Sequence, residues 1–189
     1  MSALSSIEFR RQVLVRILFA FAALVPAVVI AIPLLTLFDD RVHEWVNPAL
    51  LGLFFAIPEA LLQKSWKVLF LLGFIAALSC SVAFHGARAA GYSGFLIPKS
   101  AALVAAGAVV GWGAGKWGGL ESRTLLCILV GAAGGIIAAF GWVWSGKIFS
   151  ETPWLLIVML LVEILPVHLA AGISVSLLRP ACKRPVGGV

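Results

Sequence analysis

Long apolar runs, each closed by a few charged or turn-forming residues, recur along the whole sequence, and no other feature restricts the fold so tightly. A helix that crosses the roughly 30 Å hydrocarbon core of a bilayer needs about 20 mostly apolar residues. Residues 13–38 provide such a run, entered through Arg10, Arg11 and Arg16 and interrupted by Pro26 and Pro33. It is far longer than the roughly 7–15 residues of a signal-peptide core, so a retained helix is expected. Further runs follow at 48–63, 68–90, 100–115, 124–145 and 153–178. Lys64 and Lys67 close the short second run. Gly91, Tyr92, Ser93, Gly94 and Pro98 read as a loop after the third. Residues 116–123 break the chain after the fourth, and Pro153 opens the last run in a first-turn position that tolerates its missing N–H.

Composition supports the same fold class. Only 12% of the 189 residues are charged, 62% are hydrophobic, and the mean hydropathy is +1.09. A soluble domain carries roughly a quarter of its residues as Asp, Glu, Lys and Arg. Half that share cannot cover a water-facing surface, so the expectation is one all-α membrane domain over residues 1–189, a bundle of about six transmembrane helices. The net charge of +6 does not indicate nucleic acid, because the basic residues lie between apolar runs rather than along one face. Cys80, Cys127 and Cys182 form neither a disulfide framework nor a metal motif.

Lys and Arg in short loops set the orientation of membrane helices. With six crossings, the side holding both termini carries ten of the 14 basic residues; Arg41, Arg88, Lys99 and Lys147 make up the other four. If the second run were a re-entrant hairpin, the division would be six against eight of the same 14. Six crossings with cytoplasmic N- and C-termini, in a plasma or inner membrane, is therefore the expected topology. Trp45, Trp142, Trp144 and Trp154 fall near outer helix ends, and Trp66, Trp112 and Trp117 near inner ones, as an interfacial belt requires.

Small residues recur every four positions: Gly107, Gly111 and Gly115 on the fourth run, Gly131, Gly135 and Ala139 on the fifth, Ala23, Ala27 and Ala31 on the first. Positions i and i+4 share a helix face, and small side chains there let backbones approach, within the bundle or against a partner. Chance in an Ala- and Gly-rich chain is the competing reading.

Charges inside the membrane are the sharper signal. Glu163 sits about nine residues into the last run, roughly 14 Å deep at 1.5 Å per residue. A carboxylate at that depth faces the bundle interior with a partner, for function or for structure alone. His168, five residues on, points about 140° away on a straight helix, and Pro166 lies between them. Glu59 lies near Lys64 and is expected to snorkel to the inner surface. The acidic group Asp39, Asp40, Arg41, His43 and Glu44 reads as a solvated outer loop, without metal-ligand spacing. At the outer end, His85, Arg88, Tyr92, Trp142, Trp144 and Trp154 come to one level, with Glu163 deeper. Such a set suits a small-molecule site, and equally suits membrane anchoring by aromatics. No catalytic signature or cofactor motif is present, and a non-enzyme is expected.

A six-helix chain of this length, with both ends inside and alanines spaced by four on its first helix, resembles the substrate-binding S-components of energy-coupling-factor vitamin transporters. That resemblance implies that Ala23, Ala27 and Ala31 meet a membrane coupling partner. Two functions stay open: a small-solute binding or transport subunit, and a non-catalytic scaffold or assembly subunit. The expected partners are the lipid bilayer, a small-molecule ligand, and other membrane subunits or further copies of the chain, without nucleic acid.

Overall fold

The computed structural model describes residues 3–37, 40–148 and 155–178, with side chains over a narrower set that leaves out residues 3–9, 12, 27, 28, 31–45, 146–148, 155 and 156. Six α-helices account for almost all of it: α1 (Ala3–Leu37), α2 (Asp40–Gln63), α3 (Trp66–Ala89), α4 (Leu96–Trp117), α5 (Thr124–Ile148) and α6 (Leu155–Leu178). A single 3-10 turn, Glu121–Arg123, leads into α5, and there is no strand among the described residues. Five stretches are long and apolar enough to cross a membrane: Val46–Gln63, Trp66–Ala89, Leu96–Trp117, Glu121–Ser145 and Ile157–Leu178. In α1 the described apolar stretch, Val13–Pro26, is shorter.

Three helix starts differ from the sequence reading by a turn or more, beginning with α1, which starts at Ala3 rather than at residue 13. The second helix begins at Asp40, not at residue 48, so Asp40, Arg41, His43 and Glu44 belong to its first turns rather than to a loop. Pro48, at which the second apolar run begins, sits inside α2. Such prolines persist in membrane helices because neighbours satisfy the freed backbone groups. Asp39, and the side chains of the other four residues, lie outside the described residues. Likewise α4 begins at Leu96, which places Pro98 in its first turn and Lys99 within the helix. The first N–H groups of a helix have no internal acceptor, so Pro98 costs no bond there.

Three connections close with the same turn. After α2, Ser65 N–H donates to the Ala60 carbonyl at 3.1 Å and Lys64 N–H to Leu61 at 3.2 Å. After α3, Tyr92 N–H donates to Ala87 and Gly91 N–H to Arg88; after α4, Leu120 N–H donates to Gly115. These are Schellman-type caps, which need a left-handed residue just past the helix. Gly91 (φ 97°) and Gly119 (φ 74°) supply it without strain, whereas at Lys64 (φ 49°) the side chain costs about 1–2 kcal/mol.

Neighbours in sequence are neighbours in space: α1 packs on α2, α2 on α3, α3 on α4, α4 on α5, α5 on α6, and α6 returns to α1. The ring is filled by α4, which also packs against α6 and α2. Its outer surface is apolar. On α3, Phe70, Phe74, Leu78 and Val82 are all more than half exposed, while Leu72, Ala76, Cys80 and Phe84 are buried. Both stripes repeat every four residues, so the helix turns bulky apolar groups to lipid and its own core face inward.

Glycines set the closest contacts. A Cβ on Gly107 would strike the carbonyl of Gly131, one on Gly111 the carbonyl of Cys127, and one on Gly135 the carbonyl of Leu103. Gly115 faces Cys127 at the end of the same seam, and Ala139 is buried. Backbone lies against backbone along α4 and α5, so no rotamer change could make room. Gly52 meets α3 at Ala76 and Ala77 in the same way. Gly111→Leu is therefore expected to collapse the yield of folded protein and lower its thermal midpoint. Leu129→Ile, on the lipid face at 57% exposure, should leave both unchanged. Wild-type stability for Gly111→Leu would show that α4 and α5 are not in close contact.

Candidate functional site: two buried ion pairs

Four ionisable side chains converge on the interior in two pairs at different depths. Toward the end of the bundle where α4 begins, Lys99 of α4 reaches Glu163 of α6 at 3.0 Å, with the two side chains 9% and 4% exposed. Lys99 lies in the first turns of α4 and Glu163 about 12 Å along α6, so the long lysine stem runs down into the bundle. One Glu163 oxygen, Oε2, has no hydrogen-bond partner among the described residues. Cys80 of α3 sits close enough for both charges to act on it, and its thiol donates to the Ala102 carbonyl at 3.4 Å.

Three aromatic rings cluster at the same end of the bundle as Lys99. Phe95, one turn before Lys99 on α4, meets Phe84 at 5.5 Å and Trp142 of α5 at 5.9 Å between ring centroids. Phe84 in turn is one turn above Cys80. The arrangement is thus an aromatic cluster from α3, α5 and the residue that opens α4, near a charged pair from α4 and α6 with a thiol close by.

The second pair lies nearer the opposite end, where α2 closes. Arg16 of α1 donates from Nη1 and Nη2 to the two oxygens of Glu59 on α2, the second at 3.4 Å. Gln63 Nε2, one turn on, also donates to Glu59 at 3.4 Å. Glu59 is therefore fully buried and paired; it does not snorkel. A forked guanidinium is the one cation that can hold both oxygens of a carboxylate at once. Gly172 of α6 makes room for it, since a Cβ there would meet Arg16 Cδ at 2.8 Å.

His168 completes the inner group. It lies one turn before Gly172, is wholly buried, and stacks on Phe55 at 6.2 Å, one turn before Glu59. The charge of Arg16 acts on it. No partner meets strict hydrogen-bond geometry at its ring nitrogens among the described residues, and the Phe55 backbone is close enough to act on the ring.

No family model, curated protein or solved structure matches this chain. The resemblance to S-components thus has no counterpart among solved structures, and function must be read from the site itself. Among the residues singled out from sequence, the structure pairs Glu163 with Lys99 and sets Trp142 against Phe95. His85 stands with its ring edge-on to Phe84 at 5.3 Å, and Arg88 lies half-buried in the last turn of α3. Tyr92 is exposed in the following loop, and Trp144 is turned outward at 68% exposure, away from the pair. Ala23 is buried inside the bundle rather than on a partner-facing surface. The side chains of Ala27, Ala31 and Trp154 lie outside the described residues. An apolar groove of about 230 Å³ between Ile75, Ala108, Val109, Trp112 and Ile128 has no charged lining and suits an acyl chain better than a polar solute.

Sequence reasoning missed Lys99, Arg16 and the role of Glu59. A signal was available: Arg16, Glu59, Arg88 and Glu163 fall inside predicted spans and Lys99 one residue outside, and charges at such positions call for partners. Removing one partner strands the other. Arg16→Met is expected to cost about 3–5 kcal/mol in reversible unfolding in micelles, because Glu59 is left alone. Arg16→Met combined with Glu59→Met should cost clearly less than the sum of the singles. Simple additivity would mean that the two side chains do not interact.

Proposed function

We propose that this chain is a six-crossing membrane protein, both termini cytoplasmic, that binds a small polar solute at its outer end and serves in its transport. The observation that carries the reading is the Lys99–Glu163 pair near an aromatic cluster, with one carboxylate oxygen left unengaged. A buried ion pair adds little net stability, because desolvation offsets most of the attraction. Ionisable groups at this depth mark substrate or ion pathways. The pair presents both signs of charge beside an apolar wall, the composition of a small-molecule site. A carboxylate or phosphate would compete for Lys99, an ammonium for Glu163, and a zwitterion for both.

A scaffold would need a free face for its partners. The Gly107, Gly111, Gly131 and Gly135 face is consumed within the bundle, so it does not favour that alternative. The basic residues support six crossings, with ten of 14 on one side.

Two measurements test this reading. Reporter fusions after Arg88 and Lys147 should read outside, and those after Lys67, Arg123 and Val189 inside; Val189 outside would end the six-crossing topology. For the site, purified protein is screened by thermal shift against small anions, ammonium compounds and zwitterions. At least one class should raise the midpoint of the wild type and not that of Glu163→Gln, since a ligand preferring the folded state stabilises it. A panel in which nothing separates the two proteins would leave the scaffold reading standing instead.

A further inference from the structure

We propose that the groove between α3, α4 and α5 binds one anionic phospholipid, with an acyl chain in the groove and the headgroup phosphate at Lys116 and Lys67. The inference is independent of the solute reading and shares no residue with the Lys99–Glu163 pair. Ile75 of α3, Ala108, Val109 and Trp112 of α4, and Ile128 of α5 line the groove. All five are half-buried, so the groove opens on the lipid-facing surface. Apart from the Trp112 indole N–H, no lining side chain offers a hydrogen bond. A polar solute would give up its bonds to water there without replacement, whereas a hydrocarbon chain has none to lose.

Lys116 fixes a positive charge at the rim. Its ammonium stands 5.0 Å from the centre of the Trp112 ring, which itself lines the groove, and Trp117 braces that ring edge-on at 5.7 Å. Contacts between the helices set their relative levels. A Cβ on Gly113 would meet Leu72 Cδ1 at 2.9 Å, and one on Gly111 would meet Ile128 Cα at 3.1 Å. Counted along antiparallel helices from Gly113 and Leu72, Lys116 is level with Leu69, about 3 Å along the axis from Lys67. Ala108, Trp112 and Lys116 follow at four-residue spacing on α4, and Lys67, Leu71 and Ile75 do so on α3. Both faces that enter the groove therefore end in a lysine. From Trp112 to Ala108 the wall runs about 6–12 Å below Lys116, within reach of an acyl chain whose phosphate sits at that lysine.

The charge at this end selects the headgroup. The turns after α2 and α4 and the first residues of α3 carry Lys64, Lys67, Lys116 and Arg123 against Glu121, all exposed. Arg123 is partly engaged, since it donates to the Leu178 carbonyl at 2.8 Å. Among the described residues neither Lys67 nor Lys116 forms an ion pair. Basic residues beside a membrane helix attract anionic headgroups, each by roughly fivefold in affinity. A zwitterionic headgroup gains less, because its own ammonium is repelled. A second copy of the chain would bring the same basic end to the same level, so charge opposes that occupant.

The test uses purified protein in detergent, mixed with phosphatidylglycerol and phosphatidylcholine of identical acyl chains, with bound lipids counted by native mass spectrometry. Wild type should retain one phosphatidylglycerol in preference to phosphatidylcholine by roughly 25-fold, the product of two lysine contacts. Lys116→Gln should lower that preference about fivefold, and Lys67→Gln likewise. Arg11→Gln, at the same end but on α1, which packs on α2 and α6, should leave it unchanged. Ala108→Phe fills the groove and should weaken both lipids alike by about tenfold, the worth of roughly two buried methylenes. Thermal midpoints establish that each variant is folded, and Ala108→Leu replaces Ala108→Phe if the latter is not. No preference in the wild type overturns the site, as does an unchanged preference in folded Lys116→Gln. An equal loss in Arg11→Gln reduces the effect to general attraction by a basic surface and overturns it too. Wild-type lipid retention in a folded residue-108 variant takes the chain out of the groove. A wild-type dimer that such a variant dissolves would give the groove to a second copy instead.

Discussion

A charge withdrawn from water into a low-dielectric interior is tolerable only beside an opposite charge, and in this chain that requirement ties distant helices together. Arg16 and Glu59 join α1 to α2; Lys99 and Glu163 join α4 to α6. Between lipid-exposed helices there is no hydrophobic gain from association, since acyl chains are as apolar as leucine. What holds such a bundle is close packing and the polar contacts that cannot be made to lipid. Opening either pair would place a lone ion among apolar groups, so the pairs fix which helices face each other and in what rotation.

The pairs in turn depend on small residues. Lys99 reaches Glu163 only because α4 sits inside the ring of helices, and it sits there because its glycines let α5 lie against it at backbone distance. Arg16 threads to Glu59 past α6 because residue 172 has no side chain. Glycine faces and buried charges are thus one arrangement: the first sets the spacing, and the second selects the register.

Much of this was legible in the sequence, and the omissions have physical causes. Length and hydrophobicity mark the helices because each must span a fixed thickness, and the glycine spacing on α4 and α5 is visible because helical periodicity is fixed. The start of α2 was misplaced because its apolar run begins only at Pro48, and whether neighbours satisfy the carbonyl that a proline frees is a tertiary matter. Glu59 and Lys99 were misread for one reason: a long or acidic side chain near a helix end can turn either to the interface or to the core. Only the partner decides between these, and Arg16, 43 residues from Glu59, carries no local sign of being one. Trp144 illustrates the converse. Its level on α5 was readable, but the face it occupies depends on which side of that helix the glycines bury.

The two pairs are unlike in a way that bears on mechanism. Glu59 is held by a forked guanidinium and by Gln63, so its oxygens are engaged from two sides by groups that lose little freedom in binding. Glu163 meets a single ammonium on a flexible four-carbon stem, and one of its oxygens stays open. Lysine leaves such a contact more readily than arginine, because its charge is not locked into a planar fork and is readily rehydrated. A protein that alternates between two accessible sides needs one element that yields and one that does not. The yielding pair stands toward the end of the bundle that carries Phe84, Phe95 and Trp142, and the fixed pair toward the other end. A solute group that displaced Lys99 from Glu163 would loosen α4 from α6 while α1 and α2 remained joined. The direction of that asymmetry follows from the choice of lysine at residue 99 and arginine at residue 16.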